Sequence, residues 1–437
     1  MNPILDVPRS TTLAERIATR EAKVGIVGLG YAGLPLALAF SEAGFEVTGI
    51  DLNEARVGAV QAGQSYLVDV PAERYADAQG RLSATTDYSA VAELDALTIC
   101  VPTPLDEHRS PNLKYVTAAA ESISRHLKPG ALVVLQSTTF PGTTESLLLP
   151  IFESACGTVG EDFHLGYAPE RVDPGNPRYN LRNTPKIAAG ITDECRALTA
   201  ALYATVVDEI VEVSSTTVAE SVKLHENTFR QVNIALANEL ALMCDRLGIN
   251  AWEVIDAAAT KPFAFMAHYP GPGLGGDCIP VVPHFFTWRL REFGYSTRLI
   301  DAAHEINRTM PIHVVQKAAD ALNSVGRSIN GARILLLGVA YKPNVHDTRE
   351  SPSLDVMRDL IARGGNVRYC DPWVDYVELD GRRHASVAWT AAEVQRADVV
   401  VMLTPHADFM QDRYWARAPL IVDTRNVVPE LPGVWRI

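Results

Sequence analysis

The sequence has little with which to staple a chain, anchor it or load it with metal. Its 437 residues include six cysteines (Cys100, Cys156, Cys195, Cys244, Cys278 and Cys370), 34 to 92 residues apart, with no CxxC pair and no cluster in a small domain. That spacing argues against a disulfide framework and suits a reducing cytoplasm. No stretch reaches about 18 uninterrupted apolar residues. The first twenty-two residues mix acidic and basic side chains without an apolar core, so neither a membrane span nor a secretory signal is expected. Basic charge is short too: 39 Lys plus Arg against 52 Asp plus Glu gives a formal charge of -13. A broad nucleic-acid or membrane-binding face is therefore not expected, although a local cationic pocket for a phosphate remains open. His164, His225, His268, His284 and His304 form no compact ligand motif such as HExxH, so no metal is expected.

What is present, 47% apolar and 21% charged residues, suits a soluble globular protein of roughly two to four domains. After a polar arm (residues 1–22) comes a buried-strand signature at 24–27, then a Gly-rich turn, a helical stretch and a second strand ending at Asp51. Further strand candidates cover 96–101, 131–137, 163–169 and 186–190, which makes residues 23–212 an α/β domain. From 216 to 247, Val222, Phe229, Val232, Leu236, Leu240, Met243 and Leu247 recur at helical spacing without Gly or Pro, predicting one long helix. Residues 269–285 carry four glycines and four prolines in their first fifteen positions and must form an irregular loop within a helical middle region, 213–328. The strand-and-turn pattern restarts at Gly331, so 329–437 is a second, smaller α/β domain.

Gly28, Gly30 and Gly33 form GxGxxG between a strand and a helix, with Tyr31 inside the turn. The three glycines serve a tight turn, the approach of a pyrophosphate and close helix packing, and the helix N-terminus faces the phosphates. Asp51, 23 residues after Gly28, can accept from both ribose hydroxyls and would repel a 2′-phosphate, which favours NAD over NADP. Pro102 and Thr103 in CVPTP, and Ser137 and Thr138 in QSTTFPG, end later strands, where ligands gather in open sheets. Simple strand termination reads the same way.

Lys223 and Asn227 share a face of the long helix, and with Arg230 they make a polar stripe. Either this is a solvated face, or the pair donates hydrogen bonds to an oxygen that gains negative charge. Cys278 follows GPGLGGD, whose glycines let a ligand approach its sulfur. It is either a structural cysteine or a nucleophile that adds to an aldehyde and passes through a hemithioacetal to a thioester. Glu170, in YAPERVDPGNP, can orient water or relay a proton, or form a structural ion pair with Arg171.

Taken together, the segments VGLGYAGLPLA, CVPTPLDEHRSPNL, QSTTFPGTT, GYAPERVDPGNP, KLHENTFRQVNIALANE, YPGPGLGGDCIP and GVAYKPNVHDTRESPS resemble the nucleotide-sugar 6-dehydrogenase family. The resemblance implies two Rossmann-like domains joined by a long central helix and a helical middle domain, NAD as cofactor, a nucleotide-sugar substrate and a homodimer. Its reaction takes a primary alcohol to a carboxylate with two NAD molecules. By motif position it makes Cys278 the nucleophile, Lys223 and Asn227 the oxyanion donors, Glu170 a carboxylate near the reacting carbon, and Thr138 a group that arranges water. Arg171, Arg230, Tyr269, Gly275, Lys342 and Arg349 become candidate substrate contacts.

The cysteine loop is most similar to that of enzymes using UDP-N-acetylhexosamines, and departs from it twice. Asp277 stands where that branch has His, and Val282 where the wider family has Asp. Val282 can neither accept a proton nor hold water by charge. An anion at Asp277 would raise the thiol pKa, which leaves Glu170 as the stronger base. Three outcomes stay open: full four-electron oxidation, a two-electron oxidation, and a nucleotide-sugar-binding protein without hydride transfer. A simple hydroxyacid dehydrogenase, which needs neither the Cys278 loop nor the second α/β domain, is the alternative from another class.

Overall fold

Residues Val24–Val27 (β1) are apolar on both faces and wholly buried, as a central parallel strand must be. A computed structural model describes residues 11–437 apart from 68–69, 79, 107–108, 174–175, 177, 277 and 411–412. It divides after His225 into two compact units.

The first unit is built on an eight-stranded sheet. Its strands are β1, β2 (Val47–Ile50), β3 (Leu82–Thr85), β4 (Ala96–Ile99), β5 (Leu132–Leu135), β6 (His164–Tyr167), β7 (Lys186–Gly190) and β8 (Ile210–Glu212), in the order β3-β2-β1-β4-β5-β6-β7-β8. The order reverses direction at β1/β4, the switch point where open α/β sheets bind ligands. Strands β1 to β6 are parallel and in register, so Val27, Ile50, Ile99 and Leu135 form one row with Tyr167. The residues just after that row therefore share one edge. β7 runs antiparallel to β6, with Gly166 opposite Gly190. Its first residue, Lys186, is thereby delivered to the same edge.

The expected arm is not wholly irregular. Thr12 and Glu15 form a capping box that starts a helix at Leu13–Thr19, and Leu13 and Ile17 are buried. The periodicity predicting one helix over 216–247 matches the helix Thr216–Leu247 at both ends. The loop expected over 269–285 ends slightly early, because Pro283 opens a helix, Pro283–Arg291, at a first-turn position where its missing N–H costs nothing.

In the second unit, β9 (Arg333–Leu337), β10 (Asn366–Cys370), β13 (Val399–Met402), β14 (Ile421–Asp423) and β15 (Val434–Arg436) form a parallel sheet ordered β10-β9-β13-β14-β15, with a hairpin of β11 (Tyr376–Leu379) and β12 (Arg382–Ala385) outside it. Ala241, Cys244, Trp252, Met310 and Val314 from the central helices share one core with Leu336, Val399 and Val422 of that sheet. The two α/β sheets repeat each other down to single bonds. Asp95 Oδ2 accepts from the amide of Lys23 ahead of β1, and Asp398 Oδ2 from that of Arg333 at the start of β9. Likewise Asp51 closes the turn after β1 through the amide of Leu29, and Asp371 the turn after β9 through that of Val339, both at 2.7 Å.

Candidate active site

At the β1 turn each glycine has a distinct reason. Gly28 has φ +95, and a Cβ there would lie 2.7 Å from the carbonyl oxygen of Cys100. A Cβ on Gly33 would lie 1.8 Å from the carbonyl oxygen of Gly28, so helix Gly33–Glu42 packs too close to the strand for any side chain. Gly30 meets no protein atom within 4 Å, so internal packing does not require it. Its lack of a side chain keeps the turn open, as the approach of a pyrophosphate would require. Tyr31 is exposed in the same turn. Asp51 accepts from the amides of Leu29 and Asn53, and Arg56 stands 3.3 Å from its Oδ2. The residues present fit a dinucleotide.

The other residues predicted for this edge arrive with it. Pro102 and Thr103 follow β4, and Ser137, after β5, donates to the carbonyl of Val101 at 2.7 Å, tying the two strand ends together. Thr138 beside it is half-buried. Glu170 follows β6. Its Oε1 accepts from the amides of Arg171 and Val172, both at 2.8 Å, and its Oε2 from Gln136 Nε2 at 2.9 Å. The cation paired with Glu170 is Lys186, at 3.6 Å, while the Arg171 guanidinium donates to the carbonyl of Pro185. Burial opposes ionisation of Glu170, yet Lys186, the two amides and Lys223 outweigh it and leave the carboxyl below its ordinary range.

Sequence reasoning missed Lys186, Gln136 and Tyr203, whose hydroxyl donates to Gln136 Oε1 at 2.8 Å. Gln136 reads as the last apolar-strand position, and only the reversed direction of β7 brings Lys186 to it.

The long helix turns the sequence picture inside out. Lys223 and Asn227 are 9% and 5% exposed, whereas Phe229, Leu236, Met243 and Leu247 are 41%, 61%, 47% and 72% exposed. The polar stripe of Glu220, Lys223, Asn227, Gln231 and Asn238 is the buried one. Arg230, expected to extend it, is exposed and stands apart. Asn227 Nδ2 and both amide atoms of Gln231 are buried without a protein partner. Buried polar atoms rarely stay unpaired, and this marks the stripe as a surface that a ligand or water completes.

Glu220 fastens the helix to the loop after β5. It accepts from the amide and hydroxyl of Thr144 at 2.8 and 2.7 Å and from the amide of Gly142. Burial raises its carboxyl from 4.5 to about 7 against those donors. A raised acid contributes most below 4.5 and loses that contribution as pH rises to about 7. The thermal stability of the wild type relative to Glu220→Gln should therefore fall between about pH 5 and 7 and be flat above, as unfolding scans at fixed pH would show.

In the second unit the glycines ahead of Cys278 are forced by contact. A Cβ on Gly275 would come within 2.6 Å of Tyr341 Cβ, one on Gly276 (φ +85) within 2.9 Å of the Tyr341 ring, and one on Gly271 within 2.4 Å of the Arg425 guanidinium. The amide of Gly276 donates to the carbonyl of Arg349 at 2.9 Å. The loop thus lies against residues 340–352, which carry half-buried Lys342 and exposed Arg349. The Arg349 guanidinium is paired with Asp347, and the Tyr269 hydroxyl donates to Asp256 at 2.7 Å. Arg425 was not anticipated, and burial lowers its guanidinium to about 10. Asn344 donates its amide to Nδ1 of His406, whose Nε2 lies 3.0 Å from Asp371, which pins the loop from its far side.

Cys278 is exposed. The amide of Val282 donates to its carbonyl at 2.8 Å, a helical turn that sets position 282 on the same side as position 278. Val282 is only 3% exposed, so an apolar side chain is buried one turn after the cysteine. Asp277 lies outside the described residues. Among the described residues no helix is long and apolar enough to cross a membrane, and no group of three or more His, Cys, Asp or Glu side chains is placed to hold a metal.

The glycine turn, the strand-end carboxylate and the switch point of the first sheet define a dinucleotide-binding domain of the Rossmann class. The chain belongs to the UDP-glucose/GDP-mannose dehydrogenase family: the NAD binding domain matches residues 22–207, the central domain 217–309 and the UDP binding domain 335–430. It is 37% identical to UDP-N-acetyl-D-glucosamine 6-dehydrogenase of Pseudomonas aeruginosa over 81% of this chain and 84% of that one. It is also 37% identical to UDP-N-acetyl-D-mannosamine dehydrogenase of Salmonella typhimurium, over 94% and 99%. The solved structure of UDP-D-ManNAc dehydrogenase from Pyrococcus horikoshii superposes with a TM-score of 0.87 at 33% identity, covering 95% of this chain and 99% of that one. Family membership supports NAD-dependent oxidation of a nucleotide sugar to an acid.

Proposed function

We propose that this protein oxidises the primary alcohol of a UDP-N-acetylhexosamine to the carboxylate, in two oxidations linked by a covalent bond to Cys278. The observation that carries this reading is Cys278 itself, exposed at the end of a loop whose glycines are packed hard against residues 340–352. The substrate class is supported by the relatives named above, which act on UDP-GlcNAc and UDP-ManNAc.

NAD, when bound, accepts a hydride in each oxidation. The chain's own groups do the rest. Lys223 and Asn227 donate hydrogen bonds to the substrate oxygen as it becomes an alkoxide and then an aldehyde oxygen. The Cys278 sulfur adds to the aldehyde carbon and its proton passes to that oxygen, giving a hemithioacetal. Loss of a second hydride and the hydroxyl proton leaves a thioester. Water, oriented by Glu170 and Thr138, attacks the thioester carbon and expels the thiol. Lys342 and Arg425 supply positive charge for the diphosphate, and Arg349 can join them only by leaving Asp347.

Val282 favours a second reading, oxidation by two electrons only, since no carboxylate at that position can move a proton around the sulfur. Incubating the purified protein with NAD and separate UDP-sugars or GDP-mannose decides between them. Two NADH per sugar and an acid product are expected, while one NADH and an aldehyde would establish the second reading.

The exposed residues Phe229, Leu236 and Met243 recur every seven positions, the spacing of a helix seam covered by another helix. A homodimer paired along this stripe is proposed, within the cytoplasm.

A further inference from the structure

Glu170 is not held by the backbone alone. A closed network of buried side chains stands behind it, and none of its members needs to touch a substrate. Lys186 Nζ donates to Gln136 Oε1 at 3.0 Å and lies 3.6 Å from Glu170 Oε2. Gln136 Nε2 donates to the same Glu170 oxygen, and the Tyr203 hydroxyl donates to Gln136 Oε1 at 2.8 Å, with Thr98 Oγ1 3.3 Å behind it. Because Gln136 Oε1 accepts twice, its amide orientation is forced and its Nε2 must point at Glu170. The Lys186 side chain is 3% exposed, and its ammonium also lies over the Tyr203 ring, 4.9 Å from the centroid.

A buried lysine is costly to keep charged, and removing one partner of such a pair costs far more than the pair itself contributes. The arrangement thus needs a reason other than stability. We propose that Lys186, acting through its ion pair with Glu170 and through Gln136, is a positioning residue that keeps Glu170 ionised and aimed during hydrolysis of the sulfur-bound acyl group.

The inference rests on the reading of Glu170 given above and deepens it. The charged and titratable groups that face this carboxylate are Lys186 on β7, Lys223 on the long helix, the Cys100 thiol after β4 and the Tyr203 hydroxyl, with Arg171 its chain neighbour. The two lysines favour the anion. Burial holds the thiol and the phenol neutral, pushing Cys100 up to about 12 and Tyr203 well above its ordinary value. They therefore add no competing negative charge at neutral pH. With three hydrogen-bond donors on its two oxygens and the Lys186 ammonium 3.6 Å away, Glu170 is a weak proton acceptor. It suits the orientation of water and the electrostatic stabilisation of a departing proton more than outright abstraction.

The test is the pH dependence of acid release in a single turnover, from about pH 5 to 9. Lys186→Met should move the acid-side midpoint up by about one unit or more, so that release falls roughly tenfold one unit below the new midpoint. Gln136→Met should move it the same way by less, and it serves alone if Lys186→Met does not fold. Lys186→Arg retains the charge and should keep a low midpoint even if its rate is reduced, a pattern that a merely structural role would not produce. An unchanged midpoint in folded Lys186→Met, or in Gln136→Met where that variant stands alone, would overturn the inference. Glu170→Gln separates the two claims: normal release in that variant would remove the role of Glu170 itself, whereas impaired release with an unmoved Lys186→Met midpoint would remove only the role of Lys186.

Discussion

Cys278→Ala should lose acid formation by at least about a thousandfold in kcat while binding NAD normally. The expectation follows from location as much as chemistry. The glycine turn at residues 28–33 is built from its own strand and helix, so cofactor affinity read by fluorescence titration serves as a control for folding of that domain. Of the six cysteines, Cys195, Cys244 and Cys370 are buried, and Cys100 and Cys156 are half-buried with thiol pKa values raised by burial. Cys278 alone is exposed, and the glycines before it are there because Tyr341 and Arg425 leave no room for side chains. Without the thiol an aldehyde has no acyl carrier, and the second oxidation loses its substrate. Near-normal acid production would show that the second oxidation proceeds without a sulfur-bound acyl group, through the hydrated aldehyde instead.

Lys223→Met should lower kcat by about 100- to 1000-fold with little change in KM. Lys223 is buried as a residue, and the amide nitrogen of Asn227, one turn on, is buried without a protein partner. Two donors in a place shielded from water stabilise charge that develops on the substrate oxygen far more than they stabilise a neutral alcohol. Loss of Lys223 also removes one of the two lysines that favour the Glu170 anion, so the acid-side midpoint of acid release should rise as well. Asn227→Leu should act in the same direction with a smaller fall. An unchanged kcat in Lys223→Met would show that the stripe serves only packing, and steady-state kinetics over NAD and sugar concentrations would detect it.

The glycine turn was legible because its requirements are local: a strand, three glycines at fixed offsets, a helix and a strand-end carboxylate lie within 28 residues of one another. Gly28, Gly33 and Asp51 have the contacts that such a turn demands. The ends of the long helix were legible too, because apolar spacing without Gly or Pro specifies length. Which side of that helix is inside was not. Periodicity identifies a stripe but not what covers it, and here Phe229, Leu236 and Met243 lie outside while Lys223 and Asn227 lie inside. Lys186 escaped for another reason. Its approach to Glu170 depends on β7 running against β6, and strand direction leaves no mark on a five-residue apolar segment. Val282 shows the converse: the departure was visible at once in the sequence, and the fold adds that its side chain is buried one turn after Cys278.

The most direct measurement is the intact mass of Glu170→Gln protein quenched in acid after incubation with NAD and a UDP-N-acetylhexosamine. The account predicts a species heavier than the protein by the nucleotide sugar less four hydrogens, located by peptide mapping on Cys278 and absent from the Cys278→Ala, Glu170→Gln double variant. Formation of NADH and acid with no such adduct at any quench time, and acid formation undiminished when Cys278 alone is replaced, would contradict it.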